Sequence, residues 1–228
     1  MEGGEAPAQT CIYCLSDREL TEDHVPPECL FDDVPRVELI AVPSCRKCNG
    51  MFARDDEFLR DIIVTATAGR NMPELVAPRA AMQRSLARTK FAGPIKGMLK
   101  RARYTWASIG GSQILQPATA LPVNSKRLHN VVQRIVRGLF FHETGRVIPP
   151  DYQITVADPN LLRTVASYDR PYFQNLIGAA FAGKERAVGG RRFGYSYHVL
   201  RDDPLASVWL LSFLGALIFF CTAAKRGP

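Results

Sequence analysis

A mixed α+β chain is what this sequence predicts, with a small metal-stapled module first and a longer part of helices and antiparallel strands behind it. Three observations carry that expectation. Two cysteine pairs at knuckle spacing, Cys11 with Cys14 and Cys45 with Cys48, bracket one short stretch. Helical periodicity is clear at Leu128, Val131, Val132, Ile135, Leu139 and Phe140. Strand alternation is equally clear at Phe193, Tyr195, Tyr197 and Val199. With 228 residues, 46% of them hydrophobic, the chain can bury a sizeable core. The expected divisions are a disordered leader over 1–10, a zinc module over 11–70 and a basic α+β domain over 71–228 that ends in an antiparallel hairpin.

The start, MEGGEAPAQ, is acidic and has no apolar core, so it reads as a leader and not as a cleavable signal. Residues 11–25 give the first knuckle and a short strand, and 37–42 a second strand. Pro26 and Pro27 stop any helix and leave His24 at a strand end or turn. A helix is expected from Asn49 to about Ala68, with Phe52, Leu59, Ile63 and Ala66 turned inward and Arg54, Asp55, Glu57 and Asp61 outward. Gly, Pro and Asn punctuation over 69–78 ends the module. Residues 79–90 read as a short basic helix broken over 91–94, and 106–122, with Gly110 and Gly111, hold one or two strands. Asn124 or Ser125 caps the longest helix, which ends near Gly145. Residues 152–156 form a short strand, 161–168 are ambiguous, and 170–182 read as loop followed by a short helix or strand.

The stretch 205–224 carries no charge and has two readings. A run of about 20 apolar residues is long enough to cross a bilayer, and Lys225 and Arg226 follow it, which makes a tail anchor the rival. The β-prone Val208, Trp209, Ile218, Phe219 and Phe220, with Gly215 between them, argue for a buried hairpin of strands 206–213 and 217–222. The hairpin is the preferred reading.

Four thiolates in two CxxC knuckles are what a closed tetrahedral structural Zn²⁺ requires. The loop between the knuckles carries Glu22, Asp23 and His24, and Asn49 directly follows the second. Cleaving a phosphodiester needs an activated water on one side of phosphorus and stabilised charge on the other. A neutral imidazole such as His24 supplies the first, and a hard cation on a carboxylate and an amide oxygen, Asp23 and Asn49, supplies the second. Asp56 lies near the face of Asn49 two turns on; it joins that metal shell or, as the preferred reading, is an exposed acidic helix turn. Arg46, Lys47 and Arg54 either clamp a phosphate or are solvated surface. Cys29, with no second base in evidence, reads as core, and His129 and His142 as structural or surface residues.

The order of motifs, CIYC, then DH, then CRKCN, resembles the HNH endonucleases of the ββα-metal fold, in the subclass stabilised by a four-cysteine zinc. The likeness covers roughly the first quarter of the chain, and DHVPPECLF, LIAVPSCRKCNGMF and DDEFLR look like a bacterial branch of that family. It implies an N-terminal ββα-metal module and metal-dependent hydrolysis of nucleic acid, DNA foremost. Asp23 and Asn49 would bind Mg²⁺ or another divalent cation, and His24 would be the general base. The family's middle motif residue is usually Asn; the nearest equivalent here is Glu38, which leaves open what orients His24.

The net charge of +7 favours a polyanionic partner. Residues 75–142 contain no Asp or Glu but twelve Lys and Arg, with Tyr104 and Trp106 among them, the pattern of a phosphate-contacting surface. Its bland alternative is a solvated basic face. Cys29 and Cys221, left over from the zinc set, suit a reducing cytoplasm. Beside the endonuclease stand two other expectations: a zinc-dependent nucleic-acid-binding protein without catalysis, and a membrane protein anchored by 205–224.

Overall fold

Two short strands and a long helix build the N-terminal part of the fold, in a computed structural model that describes residues 10–88, 93–108, 115–157, 185–190 and 192–227. β1 (Leu20–His24) pairs antiparallel with β2 (Ala41–Cys45), with Asp23 opposite Val42 and His24 opposite Ala41. α1 (Arg46–Ala66) follows at once. It begins three residues before the expected Asn49 because the second knuckle is itself its first turn: Cys45 is the N-cap, and its sulfur accepts from the Cys48 N–H. Leu59 and Ile63 face inward as expected, but Ala66 is exposed. Asp61, expected outside, is buried against Arg60, whose guanidinium donates to it at 2.8 and 3.0 Å.

A 3-10 turn, Pro73–Leu75, leads into α2 (Val76–Ala87), earlier by three residues than expected. α3 (Gly93–Lys100) forms where only a break was expected. Pro94 stands at its second position, where a fixed φ helps and an N–H is not needed. β3 (Arg103–Ser108) and β4 (Leu115–Ala120) pair, among the described residues, with each other alone, Tyr104 opposite Thr119 and Trp106 opposite Pro117. Gly110 and Gly111 lie outside the described residues.

α4 (Ser125–Thr144) runs as the periodicity predicts. Asn124 caps it by accepting from the Arg127 N–H, and Gly145, at φ 67°, ends it in the left-handed conformation that glycine adopts without strain. β5 (Tyr152–Ala157), β6 (Arg186–Val188), β7 (Phe193–Val199), β8 (Ser207–Phe213) and β9 (Leu217–Lys225) form one antiparallel sheet in the order β5-β9-β8-β7-β6. The uncharged run 205–224 is therefore the β8–β9 hairpin at the centre of this sheet, turning through Leu214 and Gly215 at positive φ. Among the described residues no helix is long and apolar enough to cross a membrane. The expectations for 1–9, 161–168 and 170–182 fall outside the described residues.

One face of the sheet packs on α4 through Trp209, Leu211, Phe213 and Phe219 against Val132, Ile135, Leu139 and Phe140. Leu59 and Ile63 of α1, and Leu30, Phe31 and Leu39 from the β1–β2 connection, belong to the same cluster. The core thus continues beneath the two-stranded N-terminal sheet and fixes β1 and α1 to the rest of the chain.

Candidate functional site

The first knuckle is held by its own backbone: the Leu15 N–H bonds to the Cys11 carbonyl, and the Cys11 N–H to the Ser16 carbonyl. The Ile12 N–H bonds to the Pro43 carbonyl, which brings this turn against β2 and the second knuckle. The four sulfurs of Cys11, Cys14, Cys45 and Cys48 lie within 4.8 Å of one another, and Cys14 and Cys45 approach to 3.6 Å. Tetrahedral Zn–S bonds of about 2.3 Å place sulfurs roughly 3.8 Å apart, so the set can hold a metal ion such as zinc. Burial pushes the Cys48 thiol up, aided by the neighbouring thiols. At Cys11 burial also acts upward, but hydrogen bonds from the backbone of Cys45, Tyr13 and Cys14 outweigh it and draw the thiol down to about 7. Four thiolates this close need a cation to coexist. Cys14 is the exposed member.

Asp23, His24 and Asn49 line one cavity of about 770 Å³, together with Glu22, Glu28, Cys29, Arg36 and Asp56. β1 ends at the cavity and supplies Asp23 and His24; the N-terminal turns of α1 supply Asn49 and Asp56. Asn49 Nδ2 donates to the Glu22 carbonyl at 2.9 Å and to Thr21 Oγ1 at 3.3 Å. Both amide protons are thereby committed to β1, which leaves Oδ1 as the group able to bind a cation. The Asp23 carboxylate is 4% exposed; Oδ2 accepts from the Tyr13 hydroxyl at 2.6 Å, and Oδ1 lies 4.0 Å from Arg134 Nη1. Asp23 Oδ1 and Asn49 Oδ1 are hard oxygen atoms, the donor type that Mg²⁺ and similar cations take.

The His24 side chain is 13% exposed, with Nδ1 3.7 Å from Glu28 Oε2, one turn along the chain. Glu28 in turn pairs with Arg36. Glu38, suggested by position, is exposed and is not part of the cavity wall. The group facing the imidazole is Glu28, which the motif spacing does not reveal because it lies before the second strand.

Arg134 is the residue that the sequence reading missed. It reaches from α4 between the two carboxylates: Nη1 and Nη2 both donate to Asp56, and the guanidinium stacks 4.5 Å from the centre of the Phe52 ring. Phe52 meets Tyr13 edge-on at 4.9 Å, so an aromatic pair separates this cluster from the four cysteines. The available signal was helical: Arg134 falls three residues after Val131 and four before Gly138, on the inward stripe. Asp56 is accordingly not the exposed acidic turn preferred from the sequence but a half-buried carboxylate with both oxygens on Arg134. Burial pushes its carboxyl up to about 6; Arg134 opposes this, and Asp23 and Asp55 add to it.

The acid-free stretch is likewise not one surface. Arg127 donates to Asp55 at 2.6 Å and lies over the Phe58 ring, Arg79 caps the Thr67 and Arg70 carbonyls, and Arg137 bonds the Ile148 carbonyl at 2.8 Å. Lys96, Lys100, Arg101, Arg103 and Lys126 remain exposed, as do Arg46, Lys47 and Arg54 near the second knuckle. Cys29 is half-buried in the cavity wall, and desolvation holds its thiol up at about 12, far from the thiolate a nucleophile needs. Comparison with family models, with curated proteins and with solved structures finds no match to this chain.

Proposed function

We propose that this chain is a metal-dependent endonuclease, an HNH-type enzyme that hydrolyses phosphodiester bonds in nucleic acid, DNA foremost. The observation that carries the reading is the convergence of Asp23 and His24 from the end of β1 and Asn49 from the start of α1 on one cavity. His24 takes the proton of the attacking water, and Glu28, facing Nδ1, steadies the ring and the charge that forms on it. Asn49, pinned to β1 through its amide protons, and Asp23, pinned by Tyr13, present fixed oxygens. A divalent cation bound by these oxygens would offset the negative charge that develops on the phosphate and the departing 3′ oxygen. Arg134 offsets part of the negative charge of Asp23 and Asp56, which eases the approach of a phosphate.

One observation favours a second reading. Asp23 is almost wholly covered and has a guanidinium beside its outer oxygen, an arrangement that also suits a zinc-dependent nucleic-acid-binding protein without catalysis. Supercoiled plasmid incubated with the purified chain, with and without Mg²⁺, separates the two. Cleavage that needs Mg²⁺ and drops at least 100-fold in His24→Ala, with zinc content unchanged, is the expected result; equal cleavage by the variant removes the mechanism.

A further inference from the structure

The β3–β4 ribbon stands apart from everything described so far. Among the described residues its strands pair only with each other, and Arg101, Arg103, Tyr104, Thr105 and Trp106 are all exposed. A lone two-stranded ribbon is marginal in water, and this one is anchored at its base, where Met98 and Leu121 pack with Ile62 and Phe58 of α1. Yet it displays two large rings: Tyr104 is 95% and Trp106 66% exposed. They are two residues apart and so project from the same face, with Thr119 and Pro117 opposite. Single exposed rings are ordinary, but two on one face, with Lys100, Arg101 and Arg103 beside them and no carboxylate anywhere in 75–142, are not.

We propose that this ribbon is a stacking platform for unpaired bases of a single-stranded nucleic-acid segment. The choice of ligand rests on the nucleic-acid reading above but needs no catalysis. Alternate residues of a strand are about 6.8 Å apart, twice the spacing of stacked bases, so each ring can take one base of an extended strand. Arg101 ahead of the strand and Arg103, which alternates to the ribbon's other face, add positive charge close to the phosphates without standing between the rings. A duplex hides its base faces and exposes edges, for which these rings offer no hydrogen-bonding pattern; an unpaired strand exposes the faces that rings stack on. Position supports the same occupant. The ribbon base meets α1 at Ile62, thirteen residues past Asn49, roughly 20 Å along the helix at 1.5 Å per residue, a distance of about three extended nucleotides from the cavity.

The test uses the zinc-loaded full chain carrying His24→Ala, without added divalent cation, titrated with a 20-nucleotide oligothymidylate and with a 20-base-pair duplex at one salt concentration. The chain has two tryptophans, and Trp209 is fully buried, so quenching reports contact at Trp106, while the affinities of all variants are read from the anisotropy of a fluorescein-labelled oligonucleotide. The single strand should quench and bind more tightly than the duplex. Tyr104→Ala and Trp106→Ala should each weaken it roughly 5- to 150-fold with the salt slope unchanged, and Trp106→Phe should restore most of the loss. Arg103→Ala should instead leave the preference for the single strand intact and lower the salt slope by no more than about 0.7. Unchanged affinity in the two alanine variants overturns the proposal, as does tighter binding of duplex, binding of anionic lipid vesicles in place of the oligonucleotide, or a concentration-dependent dimer that Trp106→Ala dissociates. Because the measurement is binding by a catalytically silenced chain, loss of the nuclease reading leaves it standing, and the reverse.

Discussion

Arg134 ties the candidate site to the far half of the chain. Its guanidinium is buried, and its charge is matched by Asp56 directly and by Asp23 at 4.0 Å. Removing a buried partner costs more than the pair contributes, so the three groups act as one unit. Titration reveals the balance. The Asp56 carboxyl holds its proton to about pH 6 in the folded chain against 3.8 in the unfolded one, so its contribution to stability is fully present below pH 4 and is lost as pH climbs through 6. In buffer free of added divalent cation, denaturant unfolding at pH 4, 5, 6 and 7 should show the wild type losing roughly 2–3 kcal/mol relative to Asp56→Asn across that window. A pH-independent difference contradicts the burial-driven shift. Little of this was legible beforehand. The cysteines, Asp23, His24 and Asn49 follow each other at motif spacing, but the Arg134–Asp56 contact joins positions 78 apart, and nothing local marks it.

At the scale of elements, α4 is the partition between the sheet and the site. Gly138 lets it approach the residue after His24: a Cβ there would stand 2.6 Å from Val25 Cγ1 and 2.8 Å from Cγ2, and Val25 is fully buried. Alanine in an exposed helix would gain about 1 kcal/mol over glycine, whereas here overpacking should dominate. Gly138→Ala is expected to lose roughly 1–3 kcal/mol by denaturant midpoint and to shift the amide resonances of His24 and Val25; a stabilised variant with unmoved resonances contradicts the contact. α4 itself was readable end to end, because cap, stripe and terminal glycine all lie within one segment. β7 and the β8–β9 hairpin were readable for the same reason. α3 and β6 were not: at eight and three residues they are too short for a period to show, and packing decides them.

For the whole molecule, the sulfur cluster is the point from which β1, β2 and α1 take their relative positions, since Cys45 ends one strand and caps the helix. Chelation under reducing conditions should release one zinc per chain, measured by atomic absorption, and lower stability by on the order of 5 kcal/mol or more. Cys48→Ser should behave as the chelated protein does, while Cys221→Ser, buried in the sheet core, should keep its zinc. Retention of full stability after zinc loss contradicts a structural role. The α+β class and the gathering of the four cysteines could be foreseen from periodicity and spacing. That one hydrophobic cluster unites α1, the β1–β2 connection, α4 and the sheet could not, because periodicity says which faces are buried and not what meets them. That shared packing has a consequence for anything entering the cavity. Leu30, Phe31 and Leu39 behind one wall and Leu59 and Ile63 behind the other belong to that single cluster, so a substitution deep under the sheet, far from any guest, should still be felt in the outline of the cavity.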